Sequence, residues 1–228
     1  MIGIIGAMSA EVEALKAKIE NAKTEKISGA EFVSGRLAGK DVVVAQCGIG
    51  KVFAAICAEI MILKYSPSLI VNTGVGGALA EELLPCDTVV AKSLVQHDMD
   101  TSPIGDPKGL VSGINKIFFD TDPRASEILL SAAEKLGLRA FPGIVATGDR
   151  FIASVEDKSA IRSDFDASAC EMEGCAIAHV AFVNATPVAV IRAISDSADG
   201  NSTMDYPTFL PIAVKNSTAL TTALVSEW

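Results

Sequence analysis

Short apolar runs alternate along the chain with longer segments in which apolar residues recur every three to four positions. The short runs are typical of buried strands, and the longer segments are typical of helices packed on a sheet. The predicted strands are Ile2–Ile5, Glu31–Arg36, Asp41–Gln46, Leu69–Asn72, Thr88–Ala91, Gly143–Ala146 and Pro187–Ile194. The predicted helices are Ser9–Ala22, Lys51–Lys64, Ala125–Leu136, Met172–Val183 and Asp205–Val225. This alternation predicts a three-layer α/β/α fold with a mixed, largely parallel central sheet.

Nothing in the sequence marks a second domain. The chain has 228 residues, of which 50% are apolar, and it contains no repeat, low-complexity tract or linker. We therefore expect one domain over residues 1–228. Residues 97–115 are rich in Asp, Gly, Pro and Ser and carry no period, which predicts a long loop. Loops of this length within compact domains are often functional.

Charge and cysteine content exclude several classes of protein. The formal net charge is −9, which disfavours binding to nucleic acids and to anionic membrane surfaces. The five cysteines include no CxxC pair and only two histidines accompany them, so we expect no metal site. The N-terminus lacks the basic region of a secretory signal, and no apolar run is long enough to span a membrane. Reduced thiols and a cytoplasmic location are expected.

Polar and glycine-rich segments follow several predicted strands. In open α/β sheets, ligands bind at the carboxyl ends of strands, so these segments are expected to converge on one site. They are Glu11, Gly48–Gly50, Thr73–Gly77, Asp149–Arg150 and Ser195–Asp196.

Each of these segments also has a structural explanation. Neither glycine segment matches a dinucleotide or P-loop pattern, so tight turns with positive φ are the simpler interpretation. Glu11, Glu171 and Glu173 lie near helix starts, where a carboxylate complements the helix dipole. Asp196 could form an Asx-turn or cap a helix. The two histidines, His97 and His179, are interpreted as structural.

Six motifs in chain order carry a family resemblance. They are Ile4–Val12, Cys47–Val52, Val71–Gly74, Ala146–Ile152, Glu171–Glu173 and Ile191–Asp199. Together they resemble the 5′-methylthioadenosine/S-adenosylhomocysteine nucleosidases of the purine nucleoside phosphorylase superfamily. The resemblance runs from Met1 to the C-terminal helix. It implies a nucleoside phosphorylase-like fold, hydrolysis of an N-glycosidic bond with release of adenine and a 5′-thioribose, and a role in methionine salvage.

The resemblance assigns roles to three carboxylates. Asp196 would protonate N7 of the leaving adenine, and Glu11 would deprotonate the attacking water. Glu173 would accept hydrogen bonds from the ribose hydroxyls and stabilise the developing cation. Protonation activates the leaving group, so no metal and no organic cofactor is implied.

Other residues would bind the nucleoside. Phe151 would stack on adenine, the backbone of Ile152 would read its Watson–Crick edge, and Met172 would pack under the ribose. Ser195 and Arg192 would support Asp196 and the water site, and Gly77 would contact the substrate.

The same resemblance predicts an apolar pocket for the 5′-alkylthio group. Met8, Ile49 and Tyr206 would line it, and Ile104 would reach it from the second subunit of a homodimer. Two departures from the family pattern concern these sites. Val75 replaces a serine near the attacking water, and the segment His97–Asp106 differs from an aromatic-rich family loop.

Three alternatives remain open at this stage. The chain could be a purine nucleoside phosphorylase, but phosphate capture normally uses arginines or a helix N-terminus, and none of its six arginines lies in the first loop. It could hydrolyse a nucleoside with another 5′ substituent, such as futalosine. It could also be a nucleoside sensor without turnover, which would not need all three carboxylates.

Overall fold

A computed structural model describes residues 1–198 and 202–228 of the chain. The strands are β1 Ile2–Gly6, β2 Glu20–Ile27, β3 Ala30–Leu37, β4 Lys40–Gln46, β5 Leu69–Ala78, β6 Thr88–Gln96, β7 Phe118–Asp120, β8 Ala140–Thr147, β9 Ala169–Glu171 and β10 Val188–Asp196. The helices are α1 Ser9–Lys16, α2 Lys51–Tyr65, α3 Pro123–Lys135, α4 Val155–Phe165, α5 Gly174–Val183 and α6 Ser202–Glu227. Asp199, at the end of the last motif, lies outside the described residues.

The strands form one mixed sheet. Parallel ladders join β1 to β4 and β5, β5 to β10, and β8 to β6 and β9. Antiparallel ladders join β2 to β3, β3 to β4, β5 to β9, β6 to β7 and β6 to β10. Because β10 pairs with both β5 and β6, the strands β5, β9, β8, β6 and β10 close into a ring. The other end of the sheet is open and finishes at β2.

Two apolar clusters cover the two faces of the sheet. One contains Ala54 and Met61 of α2 with Ile177 of α5, and the other contains Leu129 of α3 with Leu224 of α6. The predicted three-layer α/β/α arrangement with a mixed sheet is therefore confirmed. In the part of the chain that the structure describes, none of the helices has the length and apolar character needed to cross a membrane.

The first helix is shorter than predicted. We expected a helix over Ser9–Ala22, but α1 ends at Lys16 and residues 20–27 form strand β2, paired antiparallel with β3. Pairing with β3 outweighs the helical preference of this charged segment. The N-cap residue of α1 is Met8, which has an extended backbone conformation.

The glycine segment Thr73–Gly77 is not a turn but continues β5 to Ala78. Its glycines are explained by close approach. A Cβ on Gly74 would lie 2.6 Å from Oε1 of Glu11, and one on Gly76 would lie 2.8 Å from the carbonyl of Cys170. Gly48 and Gly50 do have positive φ values, of 95° and 100°, so the turn interpretation is confirmed there. The strands β7 and β9 and the helix α4 were not predicted.

Candidate active site

The carboxyl ends of β1, β5, β9 and β10 meet around a cavity of about 250 Å³. Most of the predicted site residues line this cavity. They are Met8, Glu11, Ile49, Gly77, Phe151, Ile152, Met172, Glu173, Ser195, Asp196 and Tyr206. The wall also contains residues to which no role was assigned from the sequence, including Cys170 and Glu171. The predicted convergence of strand-end segments is therefore found for Glu11 and Asp196, which share the cavity with Glu171 and Glu173.

Glu11 is held by main-chain N–H groups. It is the third residue of α1, and its Oε2 accepts hydrogen bonds from the N–H of Ala7 at 2.8 Å and of Met8 at 2.9 Å. Its Oε1 accepts one from the N–H of Val75 at 3.2 Å. The side chain thus supports the helix start, as the structural explanation expected, and also faces the cavity. Burial raises the pKa of Glu11.

Glu173 is the N-cap residue of α5 and is buried. Its Oε1 accepts a hydrogen bond from the N–H of Gly50 at 2.8 Å. The Gly48–Gly50 segment therefore approaches a carboxylate of the protein itself. Burial, followed by the nearby negative charge of Glu171, raises the pKa of Glu173 to about 7. A carboxyl with this pKa changes charge near neutral pH.

Asp196 lies where β10 ends. The β10–β5 register shifts between Ile194 and Asp196, and this irregularity precedes the turn after the strand. Oδ1 of Asp196 accepts a hydrogen bond from the N–H of Ala198 at 2.9 Å, which confirms the predicted Asx-turn. Oδ2 accepts one from the hydroxyl of Ser195 at 2.9 Å. A Cβ on Gly77 would lie 3.0 Å from Oδ1 of Asp196, so glycine leaves room for this carboxylate.

Apolar and aromatic side chains form the rest of the wall. The rings of Phe151 and Tyr206 meet edge to face, with centroids 5.9 Å apart. The phenol of Tyr206 donates to the sulfur of Met8 at 3.3 Å, and its pKa is raised mainly by burial. Ile152 is buried, whereas Phe151 is half exposed at the mouth. The cavity therefore offers flat aromatic surface, a thioether and buried carboxylates together.

Two predicted residues lie outside the cavity wall. Arg192 is buried behind it, where its Nε donates to Oε2 of Glu171 at 3.1 Å and its Nη2 contacts the side chain of Asn72. Ile104 lies on a short 3-10 helix and is 82% exposed. Glu171, the partner of Arg192, is an acid to which the family resemblance assigns no role. Residues of the buried type flank it in Cys170–Gly174, which indicates from the sequence that its carboxylate is buried and needs a partner.

Both arginines near the cavity are engaged in ion pairs. Arg150 contacts Asp157 at 2.8 Å, and Arg192 pairs with Glu171. Neither histidine lines the cavity. His179 stacks on Phe119 with ring centroids 5.0 Å apart. Within residues 1–198 and 202–228, no group of three or more described His, Cys, Asp or Glu side chains could hold a metal ion.

Comparison with known proteins identifies the class to which this fold belongs. A family model described as the phosphorylase superfamily matches residues 1–226, and the chain belongs to this superfamily. The chain is 39% identical over 228 residues to the 5′-methylthioadenosine/S-adenosylhomocysteine nucleosidase of Shewanella halifaxensis, with 99% of each chain covered. The family resemblance noted in the sequence motifs is therefore confirmed.

Solved structures of relatives share the whole fold. The nucleosidase of the same name from Neisseria meningitidis, in complex with methylthio-immucillin-A, superposes with a TM-score of 0.96 and 34% identity, covering 100% of this chain and 99% of that one. The native futalosine hydrolase of Helicobacter pylori strain 26695 superposes with a TM-score of 0.95 and 33% identity, covering 100% and 97%.

Proposed function

We propose that this chain hydrolyses the N-glycosidic bond of 5′-methylthioadenosine and S-adenosylhomocysteine, releasing adenine and the 5′-thioribose product. The observation that carries the proposal is the meeting of Glu11, Glu173 and Asp196 around one largely apolar cavity. Relatives with these activities, 37–39% identical over almost the whole chain, support the choice of substrates. A protein that only binds nucleosides would not need all three of these buried carboxylates.

We assign protonation of the leaving adenine to Asp196. Adenine departs more readily when N7 receives a proton as the glycosidic bond stretches. Asp196 lines the same cavity as Phe151 and Ile152, against which a purine ring would stack. The hydroxyl of Ser195 and the N–H of Ala198 fix the orientation of the carboxyl group. A fixed donor avoids the reorganisation that a mobile side chain would require.

Water activation falls to Glu11. Three main-chain N–H groups hold its two oxygens in place, and burial raises its affinity for a proton. A carboxylate in this position can accept a proton from water as the oxygen attacks the anomeric carbon. Val75, which stands where the family has serine, still contributes its backbone N–H to Glu11.

Glu173 and Met172 would contact the ribose. Glu173 presents a buried carboxylate, fixed by the N–H of Gly50, to the ribose hydroxyls. Negative charge beside a sugar that acquires oxocarbenium character stabilises the transition state. The 5′-alkylthio group would then lie against Met8, Ile49 and Tyr206.

Water, rather than phosphate, is the nucleophile in this proposal. A phosphate would meet the carboxylate of Glu11, and the guanidinium groups of Arg150 and Arg192 already have acidic partners. The test is adenine release from 5′-methylthioadenosine in phosphate-free buffer, repeated with added phosphate. We expect equal rates. Strict dependence on phosphate would identify a phosphorylase, and tight binding without release would identify a sensor.

Futalosine hydrolysis is the second candidate, because the Helicobacter pylori enzyme with that name shares the complete fold. The two activities differ in the 5′ substituent of the nucleoside. A panel of 5′-methylthioadenosine, S-adenosylhomocysteine and futalosine, with free purine as the readout, separates them. A kcat/KM for futalosine above that for both adenosines would reverse our assignment.

We also propose that the chain acts as a homodimer in the cytoplasm. Large apolar side chains are exposed on α2 and α5, including Val52 at 70%, Phe53 at 59% and Val183 at 63%. Such residues are typical of interfaces between subunits. Ile104 does not line the cavity of its own chain, and in a dimer it would reach the 5′ pocket of the partner.

Sedimentation tests the proposed dimer. Phe53→Glu should give a monomer with a raised KM, because the partner's loop is then absent from the 5′ pocket. Leu136→Glu places the same charge on another exposed apolar position, 49% exposed, at the end of α3. That control should remain dimeric. A monomeric wild-type chain with full activity would contradict the proposal.

A further inference from the structure

The carboxylate of Glu171 accepts hydrogen bonds from the backbone of the turn that carries Glu173. Its Oε2 accepts hydrogen bonds from the N–H groups of Glu173 at 3.0 Å and Gly174 at 2.7 Å, which are the first donors of the turn into α5. The hydroxyl of Thr147 donates to its Oε1, and the guanidinium of Arg192 pairs with Oε2. The carboxyl therefore binds β8, β10 and the α5 turn to one another.

We propose that Glu171 is a positioning residue, which fixes the turn that carries Glu173 and, balanced by Arg192, sets the electrostatic field around the cavity carboxylates. This inference rests on the proposed function, because the chemistry that it serves is glycoside cleavage. Glu171 need not touch the reacting atoms. It acts through the backbone of Glu173 and through its charge.

Glu171 and Arg192 form an ion pair, and their charges shift the pKa of Glu173 in opposite directions. The titratable or charged side chains that line or back this cavity include Glu11, Cys47, Glu171, Arg192, Asp196 and Tyr206. After burial, the charge of Glu171 is the largest cause of the raised pKa of Glu173, and the charge of Arg192 opposes it. Arg192 also lowers the pKa of Glu11, against the larger effect of burial. Removing one member of the pair leaves the charge of the other unbalanced.

Opposite shifts in the pH profile test this inference. In Glu171→Gln, the unbalanced guanidinium should favour ionised Glu173. The midpoint of the acid limb of kcat/KM should therefore move to lower pH, by about one unit. In Arg192→Gln, the unbalanced Glu171 carboxylate should move the midpoint to higher pH. Glu171→Asp keeps the charge but shortens the side chain, so kcat should fall while the midpoint stays near the wild-type value.

A merely structural role predicts a different result. All three variants would then lose activity by the same factor at every pH, with an unchanged midpoint, and the inference would be overturned. The two charge-removing variants carry opposite expectations, so either one that folds provides a test. Carboxyl titration of Glu173 by NMR with ¹³C-labelled glutamate measures the same shifts without turnover. Absence of adenine release by the wild type would count against the proposed function, whereas unshifted titration of Glu173 in the variants would count against the role of Glu171.

Discussion

The closed ring of strands and the open edge of the sheet place the same residue type in opposite environments. Glu173 follows β9 of the ring, and burial is the main cause that raises its pKa to about 7. Glu25 lies on β2 at the open edge, where a hydrogen bond from Lys64 lowers its pKa. At the edge, solvent and a neighbouring cation stabilise the ionised form. In the ring, the carboxyl group of Glu173 is shielded from solvent, and it accepts a hydrogen bond from the N–H of Gly50.

Exposed and buried carboxylates therefore affect different properties of the protein. Exposed ion pairs such as Lys64–Glu25 contribute little to stability and leave the carboxylate fully ionised at neutral pH. Buried carboxylates destabilise the fold when they are charged, but they can gain and lose protons near neutral pH. Substitutions in the ring should therefore affect catalysis, whereas matched substitutions at the surface should not.

The largest effect is expected at Glu11. Replacing it with Gln removes the base, so kcat should fall by about 10³-fold while most nucleoside binding is retained. Single-turnover adenine release and calorimetric binding measure the two properties. Glu13→Gln is the control, because Glu13 lies on the same helix but is exposed and pairs with Lys16 at 3.3 Å. Wild-type turnover by Glu11→Gln would mean that another group activates the water.

A smaller loss is expected at Asp196. Asn can still accept the hydrogen bond from Ala198 but cannot deliver a proton to N7, so kcat should fall by about 10²-fold. Circular dichroism should show an intact fold. Asp41→Asn makes the same exchange on β4, outside the ring, where the side chain is 69% exposed, and should leave kcat unchanged. A normal kcat for Asp196→Asn would remove Asp196 from the mechanism.

The same contrast explains what could be predicted from the sequence. Strand β10 is buried along its whole length, and its apolar run was recognised together with the Ser195–Asp196 pair that ends it. Strand β2 is exposed over almost all its length, so its sequence carries no alternation between apolar and polar residues. The sequence therefore predicts helix for residues 20–22 and no element for residues 23–27, because the strand conformation depends on pairing with β3.

Contacts between residues far apart in the chain could not be predicted from the sequence. The sequence placed glycines at 74, 76 and 77 without revealing that Glu11 and Asp196 approach them from distant segments. The role of Glu171 likewise depends on Thr147 and Arg192, which lie 24 and 21 residues away along the chain. Motif order located most of the cavity residues, but their hydrogen-bond partners required the folded structure.

The effect of Glu173 on the free energy of unfolding should depend on pH. A carboxyl whose pKa rises from 4.5 to about 7 on folding destabilises the protein once it is ionised. This destabilisation is absent below the pKa that Glu173 has in the unfolded chain, and it is complete above pH 7. Glu173→Gln should therefore raise the free energy of unfolding at pH 8, by about 3 kcal/mol, and the gain should vanish at pH 4.

Urea unfolding at the two pH values measures this gain. The matched exchange at the open edge is Glu25→Gln. Its lowered pKa contributes stability above the unfolded value, so that variant should be slightly less stable than wild type at pH 8. Equal effects of the two variants would contradict the contrast between ring and edge.

The smallest effects are expected for alanine substitutions at two glycines, Gly74 and Gly29. A Cβ on Gly74 would lie 2.6 Å from Oε1 of Glu11, so Gly74→Ala must displace the carboxylate and should lower kcat/KM by about tenfold. Gly29, in the turn between β2 and β3, has a φ of 84° and open space around it. Gly29→Ala should cost about 1 kcal/mol of stability through its left-handed backbone and leave kcat/KM unchanged. Steady-state kinetics and urea unfolding on both variants separate the two causes. If Gly74→Ala lost stability but kept its activity, the glycines of β5 would serve strand packing, and the position of Glu11 would tolerate a shift that our mechanism does not allow.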